Sequence, residues 1–236
     1  MPMTRLDAEL QRLYPLPVPG AAGSAGVRAL VLELGQPADW EALGRVWRGV
    51  QADLQLPAPA IAVSGLDGMQ LWFSLQQPVS PAEAASFLAR LCAHYLPGIA
   101  PTRLRTTPST GGVASPLPVV PAQQPGLEQW SAFVAPDLAP VFVDSPWLDI
   151  APGAEGQADL LAGLQSTKPA AFDAALRRLP PVAEPVAAVQ PAEAPTGRPA
   201  EATADVDPRQ FLQRVLNDET APLALRVDAA KALLRR

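Results

Sequence analysis

The alternation of apolar and polar residues predicts strands and helices packed into one mixed domain over residues 28–179. Apolar runs at residues 29–34, 60–63 and 69–75 have the length and composition of β-strands. Between the first two runs, large apolar residues recur at helical spacing at Trp40, Leu43, Trp47, Val50 and Leu54. Asp39 is a possible cap for that helix. The turn residues 64–68 join the second and third strands as a hairpin.

A second helix begins at a capping box. Ser80 and Glu83 are spaced so that each side chain can accept from the other's backbone amide, and Pro81 fits the first helical position. The helix continues to Leu96, and residues 102–107 are a candidate fourth strand. The order β-α-β-β-α-β predicts an α+β domain of the ferredoxin-like, RRM-like class, with one antiparallel sheet and two helices on one of its faces.

The predicted core consists of the apolar positions that these periodicities place on one side of each element. They are Leu30, Leu32, Leu43, Trp47, Val50, Ile61, Val63, Leu71, Phe73, Phe87, Leu91 and Leu104. Weaker patterns predict strands at 129–135 and 141–143, and short helices at 159–164 and 169–179.

The two ends of the chain differ from this domain. Residues 1–27 are expected to form an N-terminal helix and a Pro/Gly-rich linker. Residues 180–206 are rich in Pro, Ala and Glu and lack large aromatic residues, which predicts a disordered linker. Residues 207–236 predict a helical hairpin that is too short to be stable alone and therefore needs a partner.

Composition excludes several classes of protein. The 236 residues have a formal net charge of −5, so the chain as a whole is not a basic nucleic-acid-binding protein. One cysteine and one histidine exclude an internal disulfide and a Cys/His zinc site. No uninterrupted apolar window reaches the length of a membrane span, and the acidic start lacks the apolar core of a signal peptide. We expect a cytoplasmic protein without a membrane partner.

Two segments carry a family resemblance, the apolar strand at 30–35 and the turn and strand at 64–75. They resemble the archaeo-eukaryotic primase (primase-polymerase) family, over about residues 28–107. Members of that family have a palm with a similar sheet. An apolar strand ends in Asp-x-Asp, a Ser-Gly turn is followed by a His on an aromatic-rich strand, and a third acid comes later.

The chain departs from that pattern at each catalytic position. Glu33-Leu-Gly35 stands where the family has Asp-x-Asp, Gln70 stands where it has His, and the candidate last strand has no acid. Two-metal nucleotidyl transfer needs several converging carboxylates. The resemblance therefore implies that Glu33 and Gln70 are vestigial catalytic positions. No metal site and no cofactor is expected, and Mg²⁺ or Mn²⁺ would be needed only if primase activity survives.

Nucleic-acid contacts are possible at Ser64 and Gly65 in the turn and at Arg103 and Arg105 on the candidate last strand. Each position also has a plain structural interpretation. Residues 64–68 could be an ordinary hairpin loop, with Asp67 making an Asx-type turn. The two arginines could form a solvated strand face, and Glu33 and Gln70 could simply point to solvent. Trp72 could stack on a base, but packing beneath a helix or later strands is favoured.

Two functions follow as expectations. The first is a catalytically degenerate primase-like module, acting as an accessory DNA-replication or mobile-element protein that contacts single-stranded DNA or a nucleotide. The second is a non-enzymatic protein-interaction adaptor whose C-terminal segment docks a partner. Residues 207–236 also resemble, faintly, a helical piece of small phage terminase subunits. An active DNA primase-polymerase is a third possibility.

Overall fold

A computed structural model of the chain describes residues 3–15, 26–109 and 116–181. The fold is α+β, as the pattern predicts, with an antiparallel sheet and flanking helices. The helices in this part of the chain are α1 (Arg5–Leu13), α2 (Trp40–Ala52), α3 (Pro81–Tyr95), α4 (Ala154–Ala162) and α5 (Pro169–Arg178). The strands are β1 (Val27–Gly35), β2 (Ala60–Val63), β3 (Gly68–Val79), β4 (Leu104–Thr107), β5 (Ala122–Gln123) and β6 (Trp130–Val134).

The strands form one curved sheet in the order β4-β1-β3-β2-β6-β5, and all neighbouring strands run antiparallel. The long central strands β1 and β3 pair over most of their length, with Leu30 opposite Phe73 and Glu33 opposite Gln70. β2 follows β3 in the order because the two are joined by a tight hairpin at 64–68. The sheet thus brings the ends of β1 and β2 and the beginnings of β3 and β4 to one end of the sheet.

Helix caps agree with the sequence pattern. Ser80 Oγ accepts from the Glu83 amide at 3.2 Å, and Glu83 Oε2 accepts from the Ser80 amide at 3.1 Å, which confirms the capping box of α3. Asp39 caps α2 by accepting from the amide of Ala42 at 2.9 Å. These contacts satisfy backbone donors that a helix start leaves without partners.

Both faces of the sheet are covered, which differs from the predicted two helices on one face. The first face packs against α2, α3 and α5. The second face packs against α1 and α4. The contacts come from Leu6 and Leu13 of α1, from Tyr14 directly after α1, and from Ala158 and Leu161 of α4. The prediction missed this second layer because local periodicity does not report which sheet face an amphipathic helix will cover.

Most of the predicted core is confirmed. Ten of the twelve positions are buried, whereas Trp47 and Leu104 are partly buried against the same core. The strand predicted at 129–135 is β6, and the helix predicted at 169–179 is α5. The helix predicted at 159–164 begins earlier, since α4 covers Ala154–Ala162.

Two local predictions are wrong. Residues 141–143 are not a strand, because Ala139–Phe142 form a 3-10 helix with Pro140 in its first turn. The fourth strand is shorter than 102–107, because Pro101–Arg103 form a 3-10 turn and β4 starts at Leu104. Arg103 therefore does not share a strand face with Arg105.

The predicted linker at 180–206, except its first two residues, and the predicted hairpin at 207–236 lie outside the described residues. In the part that the structure describes, no helix is both long enough and apolar enough to cross a membrane.

Candidate functional site

The candidate site lies on the second face of the sheet, at the edge where the hairpin 64–68 turns. Strand pairing places Glu33 of β1 opposite both Gln70 of β3 and Arg105 of β4. Directly paired residues project to the same face of a sheet. Three residues that are far apart in sequence are thus neighbours, with Glu33 in the middle.

Glu33 is buried and its carboxylate is fully engaged. Gln70 Nε2 donates to Oε2 of Glu33 at 2.7 Å, and the Arg105 guanidinium donates to Oε1. Glu33 is 8% exposed to solvent and Gln70 is 3% exposed. The interpretation of either residue as a solvent-facing strand position is therefore wrong.

Gln70 links the carboxylate to the aromatic layer below α1. Its Oε1 accepts from the indole N–H of Trp72 at 2.8 Å, so both ends of the amide are used. Trp72 is buried against Tyr14 and Phe133, at ring-centroid distances of 5.1 and 5.6 Å. The favoured interpretation of Trp72 as a packing residue is confirmed.

Arg105 also contacts a second carboxylate. Its Nη1 and Nη2 donate to Oδ1 and Oδ2 of Asp67 at 3.1 and 3.3 Å. The hydrogen bonds from Arg105 are the main reason that the pKa of Asp67 lies below its ordinary value. In return, Asp67 and then Glu33 raise the pKa of Arg105. The guanidinium thus acts as a fixed cation between two carboxylates.

The turn 64–68 is held by the hydroxyl of Ser64 rather than by Asp67. Ser64 Oγ accepts from the amides of Leu66 and Gly68 at 3.1 and 3.0 Å. Gly65 adopts a φ of +82°, which favours glycine, and its amide donates to the carbonyl of Pro146 at 3.0 Å. Ser64 thus holds the hairpin together, and Gly65 shapes the turn and bonds it to a second loop.

Arg103 is also engaged within the chain. Its Nε donates to the carbonyl of Gly35 at 3.1 Å and its Nη2 to the carbonyl of Pro37 at 2.7 Å. With Arg105 paired to carboxylates, each of the four residues predicted to contact nucleic acid already has an intramolecular hydrogen-bond partner. A phosphate at this edge would have to compete with those contacts.

Arg45 and Arg48 do not share a face of the sheet with Arg105. Arg45 and Arg48 are exposed on α2, which packs on the first face of the sheet, whereas Arg105 belongs to the second face. The sheet itself therefore separates Arg45 and Arg48 from Arg105.

Gly68 allows the close approach of β3 to Glu33. A Cβ at this position would lie 3.0 Å from Glu33 Oε1 and 3.2 Å from the carbonyl oxygen of Leu34. A side chain here would push against the buried carboxylate. The glycine is thus part of the site, although sequence analysis treated it only as a turn residue.

The site contains two carboxylates, those of Glu33 and Asp67, and the cation between them is the guanidinium of Arg105. Among the described residues, no group of three or more His, Cys, Asp or Glu side chains is placed to hold a metal ion. An open cleft of about 360 Å³ lies elsewhere, beside Gln55, Pro57 and Gln165, and none of the predicted site residues lines it. The contacts of Glu33 neutralise its own negative charge and link β1 to β3 and β4, which rigidifies the sheet.

Neither a protein-family model nor a curated protein sequence matches this chain.

Proposed function

We propose that this chain is a catalytically inactive, primase-like module with an accessory, non-enzymatic role in DNA replication or in a mobile element. The observation that carries the proposal is the position of Arg105, whose guanidinium donates to both Glu33 and Asp67. A polymerase site of the primase type needs divalent cations between its carboxylates. Here a side chain of the protein itself supplies the positive charge at that point.

The fold component of the proposal is a ferredoxin-like, RRM-like core. The strand order β4-β1-β3-β2, with α2 and α3 as the two crossovers, is the arrangement that a β-α-β-β-α-β chain gives in this class. The strands β5 and β6 extend the sheet beyond β2, and α1 and α4 cover its second face. These additions fill the face that an RRM-like sheet uses for bases.

Electrostatics supports inactivity. Gln70 is neutral at every pH and cannot supply the charge of a protonated histidine. Glu33 has its oxygens occupied by Gln70 and Arg105, so a metal ion would have to break a buried hydrogen bond and an ion pair to reach it. One accessible carboxylate, Asp67, does not hold two hard cations.

A primer-extension assay tests this proposal. The full chain is incubated with a template, nucleotides and either Mg²⁺ or Mn²⁺, in parallel with Glu33→Gln. We expect no synthesis by either protein. Synthesis by the wild type that Glu33→Gln abolishes, with the fold of the variant verified by circular dichroism, would overturn the proposal.

The second candidate is a cytoplasmic protein-interaction adaptor. The intramolecular hydrogen bonds of Ser64, Gly65, Arg103 and Arg105 favour it, as does the net charge of −5. Binding of the full chain to fluorescein-labelled oligo-dT, measured across a salt series, separates the two. The accessory DNA role predicts binding that weakens steeply with salt, whereas the adaptor predicts no binding at low salt.

A matched pair of double variants locates any DNA contact. Arg103→Ala with Arg105→Ala removes the charges at the candidate site, and Arg45→Ala with Arg48→Ala removes the same charge from α2. Loss of binding in the first pair alone assigns DNA contact to the sheet edge. Loss in the second pair alone assigns it to α2.

A further inference from the structure

One end of the sheet combines exposed apolar side chains with acidic ones. We call it the loop end and define it as residues 64–68, 124–129 and 144–150. Three large apolar side chains there are exposed: Leu66 at 45%, Leu127 at 43% and Ile150 at 75%. Large apolar side chains gathered at one end of a protein mark an interaction site more often than singly scattered ones do.

Hydrogen bonds hold the three loops against one another. Gln124 Nε2 donates to the carbonyl of Ser64 at 2.9 Å, which joins the first loop to the second. The amide of Gly65 donates to the carbonyl of Pro146 at 3.0 Å, which joins the first loop to the third. The third loop is also bonded to β6, through reciprocal backbone hydrogen bonds between Trp130 and Leu148 at 2.8 and 3.0 Å. The three loops that carry the exposed side chains are thus held in fixed positions by hydrogen bonds.

Each exposed apolar residue has an acidic neighbour in sequence. The pairs are Leu66–Asp67, Leu127–Glu128 and Asp149–Ile150, and Asp144 adds a further acid. The loop end contains no Lys or Arg. Asp67 is neutralised by Arg105, but none of the ion pairs between described residues involves Glu128, Asp144 or Asp149. The loop end therefore carries uncompensated negative charge.

From these observations, we propose that the loop end is a docking surface for a partner-protein segment that combines Lys or Arg with large apolar side chains. Charge complementarity selects this occupant. Nucleic acid and anionic lipid would meet three exposed carboxylates and be repelled, whereas a basic segment is attracted and covers the apolar tips. This inference is independent of whether the edge around Glu33 is catalytically inactive.

The test uses the full chain and a fluorescein-labelled peptide with Lys and Leu repeated at helical spacing. A reference peptide has Glu in place of every Lys. Fluorescence anisotropy should show binding of the Lys/Leu peptide that weakens as salt is raised from about 0.05 M to about 0.5 M, since these charges are exposed. The Glu/Leu peptide should not bind.

Two triple variants, each assayed in the full chain, locate the binding. Leu66→Ser, Leu127→Ser and Ile150→Ser together should weaken binding by at least about tenfold. Met3→Ser, Leu138→Ser and Val141→Ser remove exposed apolar side chains outside the loop end, and this control should change affinity by less than about twofold. Equal losses in the two triple variants, or no binding of the Lys/Leu peptide at low salt, would overturn the proposal.

A further variant, which changes only charge, tests the proposal even if the first triple variant does not fold. Glu128→Gln, Asp144→Asn and Asp149→Asn keep the shape of the loop end but remove its uncompensated charge. The variant should lose both affinity and most of the salt dependence. Affinity unchanged in this variant would show that the negative charge does not select the partner, and the proposal would be wrong.

Discussion

Gln70 donates a 2.7 Å hydrogen bond from its amide to the carboxylate of Glu33, although 37 positions separate the two residues in sequence. Both side chains are buried, and the other end of the Gln70 amide accepts from Trp72. A buried carboxylate without such donors is costly because it loses its hydration. Gln70 therefore stabilises Glu33 in place, which gives a neutral residue a definite structural role at this position.

Gln70→Glu should destabilise the protein by about 2–3 kcal/mol at pH 7. The substitution keeps an oxygen for Trp72 but replaces the donor to Glu33 with a second carboxylate. Urea denaturation gives the free energy of unfolding. Gln76→Glu makes the same change at an exposed position of β3 and should cost less than about 0.5 kcal/mol. Equal costs at the two positions would mean that the bond to Glu33 contributes nothing.

The Asp67–Arg105 pair should make stability depend on pH in the acid range. Because the folded-state pKa of Asp67 is lowered below its ordinary value of 3.8, its contribution is fully present above that pH. The contribution is lost as the pH falls through the lower folded-state pKa. Asp67→Asn removes the titrating group, so the difference in unfolding free energy between wild type and variant should shrink below about pH 3.8.

Urea denaturation from neutral pH to about pH 2.5 measures this difference. Asp137→Asn is the control, because Asp137 is an exposed loop residue that has no part in the candidate site. A difference for Asp67→Asn that stays constant over the whole range would contradict the proposed origin of the pKa shift.

Gly68→Ala should destabilise the protein by about 1–3 kcal/mol, because the new methyl group would crowd the Glu33 carboxylate and the Leu34 carbonyl. Gly156→Ala is a matched control in α4, where a Cβ would meet no heavy atom within 4 Å. That substitution should be neutral or stabilising by up to about 1 kcal/mol, since alanine favours helix. Thermal unfolding compares the two, and a neutral Gly68→Ala would show that Glu33 can move aside.

Leu13→Ala should cost about 3 kcal/mol, because Leu13 is fully buried where α1 covers the second face of the sheet. Tryptophan fluorescence should shift toward the red if the loss of packing lets water reach Trp72. Met3→Ala, at an exposed position before α1, should leave both stability and fluorescence unchanged. A cost for Leu13→Ala as small as that of Met3→Ala would mean that α1 is not a structural part of the domain.

The sequence by itself determined the local elements. The strands β1, β2 and β3, the helices α2 and α3, and the capping box at Ser80 and Glu83 all follow from apolar periodicity and cap chemistry, which act over a few residues. The hairpin at 64–68 was predicted for the same reason. The α+β class also follows, because the order of these elements constrains how they can pack.

Only the tertiary structure decided what the polar residues on the sheet do. The partners of Glu33 are 37 and 72 positions away, at Gln70 and Arg105, and no local pattern reports such a distance. No local pattern predicted either that α1 and α4 would cover the second face of the sheet. Strand register sets which residues pair across a sheet, so Gln70 and Arg105, which in the sequence suggest contacts with solvent or a ligand, both bond to the carboxylate of Glu33.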